Sequence, residues 1–175
     1  MNIQKLVHNL FHKSDPSSEY WELLRFVLGF IFFWAFLDKT FGLGIATEPA
    51  KAWIAGGSPT YGFLAMGVKD AYLSSVFMSM AGNTLVDVLF MLGLGGVGFS
   101  LLTGMGMRIA GYSGALLMFF IYLAQLPLKQ NPVFDEHIVY IIILLAFTRV
   151  EVGTVYSLKG WWKKTSIVKK YPFLA

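Results

Sequence analysis

At 175 residues, 56% of them hydrophobic and only 14% charged, the chain has a mean hydropathy of +0.61. Soluble domains carry roughly 25% charged residues and face water with much of their area, so this composition excludes a water-soluble domain of this size. The absence of cysteine excludes disulfides, thiolate nucleophiles, iron–sulfur clusters and cysteine zinc sites, and the net charge of +4 gathers at the ends of apolar segments, which points to membrane topology rather than nucleic acid.

In chain order, residues 1–13 place Ile3, Leu6, Val7, Leu10 and Phe11 at helical spacing, with Lys5, His8, His12 and Lys13 on the other side. The pattern predicts a short amphipathic helix on the inner membrane surface. It lacks the compact apolar core and small-residue cleavage site of a signal peptide. Asp15 is then expected as an N-cap, with Pro16 at the first helical position. Four apolar runs follow at 20–41, 80–102, 108–126 and 132–156, each near the ~20 residues that span hydrocarbon. Residues 42–79 are too rich in Trp, Phe, Leu and Met for a flexible linker and too broken by Gly and Pro for a fifth span. They are expected to form a structured cap at the outer interface. Residues 157–175 read as a basic cytoplasmic tail carrying Lys159, Lys163, Lys164, Lys169 and Lys170, with Trp161-Trp162 as an interfacial anchor. The expected fold is all-α: a single membrane domain, a four-helix bundle with an amphipathic arm and an outer segment. The excess of Lys and Arg in the arm, the tail and the 2–3 turn predicts a multi-pass protein of the cell membrane with both termini cytoplasmic.

Gly93, Gly95 and Gly98 match G-x-G-x-x-G. The dinucleotide reading needs a strand before the motif and a helix N-terminus after it. Here the motif lies in the middle of an apolar span, where small residues bring helices together. Ala110, Gly111, Gly114 and Ala115 read the same way in the third span.

Ionisable groups within a membrane are costly and point to function unless structure accounts for them. The expected topology places Asp38, Lys39, Asn83, Asp87, Asp135, Glu136 and His137 toward the outer side, and Arg25, Arg108, Arg149 and Glu151 toward the inner side. The outer set is expected to form a network roofed by the long segment, which includes Trp53. Asp87 is the deepest acid, about two turns into its span, with Lys39 and His137 as available partners. Asn83 lies four residues before Asp87, on the same helical face. Asp135 and His137 diverge by about 200° on a regular helix unless the helix begins only at Asp135. Each group also has a structural reading: Lys39 snorkelling to the interface, Asp135 serving the helix dipole, His137 donating a hydrogen bond, the arginines setting topology and Glu151 pairing with one of them. A lone histidine within the spans is a poor haem or metal ligand, so no haem, metal or nucleotide is expected.

The segments LRFVLGFIFFWAFLDK, AWIAGGSPTYGFL, DVLFMLGLGGVGFSLLTGMGMRIAGYSGALLMFF and NPVFDEHIVYIIILLAF, with its D-x-H element, together resemble the DoxX/DoxD membrane proteins over residues 20–162. The matched positions are Arg25, Lys39, Asp135 and His137, with Asp87 as a looser match. The resemblance implies a four-helix membrane subunit tied to redox chemistry, as in thiosulfate:quinone oxidoreductase, whose DoxD-type subunit is partnered by a separate DoxA subunit. Quinone is then the implied cofactor, and membrane lipids, a soluble or membrane redox subunit and further copies of the chain are the implied partners. In this reading Asp87, Asp135 and His137 exchange protons, while Lys39 or Arg25 balances negative charge, with Asn83 and Trp53 lining the pocket and Arg108, Arg149 and Glu151 forming an inner polar cluster. The alternatives are a non-catalytic anchor for a soluble redox partner and, less favoured because no inverted repeat is visible, a small transporter or proton pathway.

Overall fold

The computed structural model describes residues 16–129, 131–150 and 157–174. The amphipathic arm, the Asp15 cap and Glu151 lie outside them. The described residues are helical and contain no strand. Helix α1 spans Pro16–Phe41, α2 Ser74–Met78, α3 Thr84–Thr103, α4 Met107–Gln125, α5 Glu136–Phe147, α6 Lys159–Trp162 and α7 Ser166–Lys170. Among the described residues, three helices are long and apolar enough to cross a membrane, in Ser18–Phe41, Thr84–Thr103 and Met107–Gln125. Helix α5 is apolar but has 12 residues.

Local chemistry sets the helix ends and moves three of the predicted starts. The second span was expected from Met80, but α3 starts at Thr84 because Asn83 caps it: its side-chain oxygen accepts from Leu85 N and Val86 N. Its C-terminus is closed by Gly104 in the left-handed region, at φ 74°. The fourth span was expected from Pro132, but α5 starts at Glu136. Asn131 first holds a turn by accepting from Val133 N and Phe134 N, and Asp135 then caps the helix through His137 N and Ile138 N. Helix α1 begins at Pro16, earlier than the predicted Tyr20, with Pro at the first position as the sequence suggested.

One core joins the long helices and α5: Leu28 and Phe32 of α1, Met91, Leu94, Val97 and Leu101 of α3, Met107, Ala115 and Met118 of α4, and Leu144 and Phe147 of α5. Trp21 meets Phe147 edge to face, with ring centroids 6.0 Å apart. Glycine makes the close approaches. A Cβ on Gly98 would stand 2.5 Å from Phe33 N, and one on Gly95 2.9 Å from the Phe36 ring. On Gly111 it would stand 2.6 Å from Leu144 O. The glycine motif in α3 is therefore a packing surface, Gly95 and Gly98 against α1 and Gly93 against Leu117 of α4, in the middle of a helix with no phosphate-binding turn. Large apolar side chains point away from the core on every long helix, among them Phe26, Phe30, Leu89, Leu92, Leu116 and Phe120. Such a belt is what hydrocarbon solvates and water does not.

Residues 42–83 fold into short helical turns, at Pro49–Lys51, Trp53–Ala55 and Phe63–Gly67, followed by α2. Ala52, Leu64 and Val68 are buried in this segment. Beyond α5, the chain is tied to the end of α3, where Leu158 N donates to Thr103 O at 2.8 Å, and the final turn at Pro172–Leu174 packs on α4 and α7.

Candidate functional site

Polar groups collect where α1 and α4 end and α3 and α5 begin. Asp87, in the first turn of α3, is 5% exposed. Its Oδ1 accepts from Ser58 Oγ at 2.9 Å, Thr60 Oγ1 at 2.5 Å and Thr60 N at 3.2 Å. These donors come from the segment between α1 and α3, so Asp87 pins that segment down. The partners expected for it, Lys39 and His137, are not the groups it binds. A buried carboxylate is tolerated here because three donors replace the water it has lost.

Asp38, 2% exposed, does a similar job one helix away. Its carboxylate accepts from Ile45 N at 3.3 Å and Ala46 N at 3.2 Å, folding the chain back after α1. Lys39, the next residue, is half-buried, and its Nζ lies 6.0 Å from the centre of the Phe90 ring. Asn83 is exposed and spends its side-chain oxygen as the α3 cap, which removes it from the pocket proposed around Asp87. Trp53 is partly buried against the helix core.

Asp135 and His137 do meet. Asp135 sits outside the regular helix as N-cap, with an extended backbone, so the divergence of a continuous helix does not apply. Asp135 Oδ1 accepts from His137 N at 3.0 Å, and Oδ2 lies 2.9 Å from His137 Nδ1. The ring is thus oriented by a carboxylate on one nitrogen. Asp135, Glu136 and His137 place one ligand atom each within 4.8 Å of one another, with Nδ1 already committed to Asp135. Beside this pair opens a cleft of about 350 Å³, lined by Asp70, Gln125, Lys129, Phe134, Asp135 and Glu136. Lys129 and Asp70 form an exposed ion pair at 3.6 Å across it, and Tyr72 N donates to Leu126 O at 2.7 Å, tying the α1–α3 segment to the α4–α5 turn.

The opposite end holds the arginines; the cluster expected of Arg108, Arg149 and Glu151 includes a residue outside the described ones. Arg25 is 2% exposed. Its Nε pairs with Glu22 at 2.8 Å, and its Nη1 donates to Leu101 O and Leu102 O. Those carbonyls end α3, so the guanidinium neutralises the negative pole of that helix. Arg108 and Arg149 are exposed.

Sequence reasoning placed Asp38, Asp87, Asp135 and His137 at the outer end but missed Ser58, Thr60, Asp70 and Lys129. The hydroxyls of Ser58-Pro59-Thr60 sit in a Gly-Gly-Ser-Pro-Thr turn, and that turn chemistry was the available signal. Comparison of the chain with protein-family models, with curated proteins and with solved structures gives no match.

Proposed function

We propose that this protein is a multi-pass membrane subunit of a quinone-linked oxidoreductase, of DoxX/DoxD type, with α5 and the residues after it completing a fourth crossing and the segment 42–83 roofing the outer end. The observation that carries the reading is Asp135, which lines a cleft between helix ends and stands 2.9 Å from Nδ1 of His137. A quinone headgroup needs a polar recess beside an apolar slot and a group that passes protons to its oxygens. The cleft is near the lower bound of small-ligand pockets, roughly 300–1,000 Å³. Its polar lining fits a headgroup, and the apolar helix surfaces beside it fit an isoprenoid tail. When bound, the quinone supplies the electron-accepting chemistry. The chain's own contribution is to hold the imidazole through Nδ1, to present Nε2 for proton exchange and to keep Lys39 as a half-buried cation at the same end.

Binding of a short-tailed quinone to the purified full chain tests this. His137→Ala is expected to weaken binding about tenfold or more, the scale of one charge-assisted hydrogen bond. Asn83→Ala, which touches only the α3 cap, is expected to leave it unchanged. Equal affinity of the wild-type chain and His137→Ala would refute the pocket. A second reading, a membrane anchor for a soluble redox partner, is favoured by the use of Asp38, Asp87 and Arg25 as structural groups. In that case the chain binds no quinone alone and retains a partner protein on purification.

A further inference from the structure

Residues 157–175 contain five lysines and no acidic residue. Their placement allows a more specific reading than a basic tail. Leu158 N is tied to Thr103 O, the last residue of α3. Trp162 Nε1 donates to Leu174 O at 2.7 Å, closing the segment on itself, and Val168 is 5% exposed at its centre. The turn Pro172–Leu174 packs on α4. The segment is therefore a folded unit fixed at the level where two span-length helices end. That level is the boundary between hydrocarbon and headgroups.

What it exposes fits that level. Trp161 is 62% exposed, Ile167 56% and Phe173 59%. Lys163, Lys164, Lys169 and Lys170 are exposed between them, and Lys170 Nζ lies 5.4 Å from the centre of the Tyr171 ring. Exposed indole and phenyl rings interleaved with lysines match an interfacial surface: rings enter the headgroup–acyl boundary while ammonium groups meet phosphates. Arg108 and Arg149, at the same end, extend the positive field.

We infer that residues 158–174 form a preordered binding surface for anionic phospholipid headgroups of the leaflet on which α3 ends. The inference is independent of the quinone reading and requires only that α3 and α4 lie in a bilayer. An acidic protein would meet the lysines but would not account for large apolar side chains displayed at the membrane boundary. Lipid accounts for both.

The test uses the full chain in nanodiscs of phosphatidylcholine alone and of phosphatidylcholine with phosphatidylglycerol. Amide hydrogen exchange of residues 159–174 is followed, with α3 and α4 as internal controls. Each lysine at a charged surface strengthens association by about fivefold. Exchange in the tail is therefore expected to slow on the order of tenfold or more in the anionic discs, and high salt should reverse this. A variant with Lys163, Lys164, Lys169 and Lys170 all changed to Gln is expected to exchange alike in both discs. The salt titration of the wild-type chain gives the same answer without any substitution. Equal tail exchange in the two lipids, or protection of neutral discs by inorganic phosphate alone or only by an added acidic protein, would overturn the inference.

Discussion

Asp87 illustrates how a buried charge can belong to architecture. Its three donors come from Ser58 and Thr60, and its burial follows from the segment they carry. Asp87→Ala leaves the Thr60 N–H and two hydroxyls without their acceptor. Unsatisfied buried groups cost about 1–3 kcal/mol each, with some relaxation, so a loss of about 2–4 kcal/mol is expected. In a chain of this size that lowers Tm by roughly 5–10 °C. Asp87→Asn keeps an oxygen acceptor and is expected to lose less than half as much. Thermal unfolding in detergent distinguishes the two, and equal Tm for wild type and Asp87→Ala would show that the pin carries no stability. The position and polarity of Asp87 were legible from hydropathy, because an acid in an apolar run stands out. Its partners were not. They lie nearly 30 residues away in a turn whose hydroxyls carry no charge to draw the eye. Asp135 and His137 show the converse. Their separation of two residues argued against contact on a helix, and only the cap geometry of Asp135 brings them together.

At the scale of helices, small residues decide which faces meet. Gly98 has no room for a methyl group, because a Cβ would press on the Phe33 backbone, whereas Gly96 faces open space. Gly98→Ala is expected to destabilise the α1–α3 contact by about 1–3 kcal/mol, since overpacking against backbone cannot be relieved by a rotamer change. Gly96→Ala is expected to be neutral or to stabilise by up to about 1 kcal/mol through helix propensity. Measured Tm values in the opposite order would mean that the α1–α3 seam is misassigned. These seams could be read from the sequence, because repeated glycines inside an apolar span have few other uses, although which of the four faces a neighbour could not. The helix starts could not be read as well. Hydropathy runs on through Met80 and Pro132, whereas the real boundaries are made by single side-chain oxygens on Asn83 and Asp135. Arg25 was legible as a charge near a helix end, but its role as a cap on a different helix depends on tertiary packing.

For the whole molecule, charge and length give a consistent picture. The end that holds Asp38, Asp87, Asp135 and Glu136 is acidic, and the end where α3 passes into α4 gathers Arg108, Arg149 and the tail lysines. That asymmetry is what a membrane with its positive side inward imposes. Three helices have the length to cross, but α5, at 12 residues, rises only about 18 Å as an α-helix against ~30 Å of hydrocarbon. The proposed fourth crossing therefore carries the account: on that proposal the Asp135–His137 pair lies outside and the lysine-rich tail inside. The chain has no cysteine, so single cysteines placed at Ala50, Lys129 and Ser166, all exposed, report side directly. With a membrane-impermeant maleimide on intact cells, Ala50→Cys and Lys129→Cys are expected to label at once, and Ser166→Cys only after permeabilisation. Labelling of Lys129→Cys and Ser166→Cys from the same side would contradict the fourth crossing.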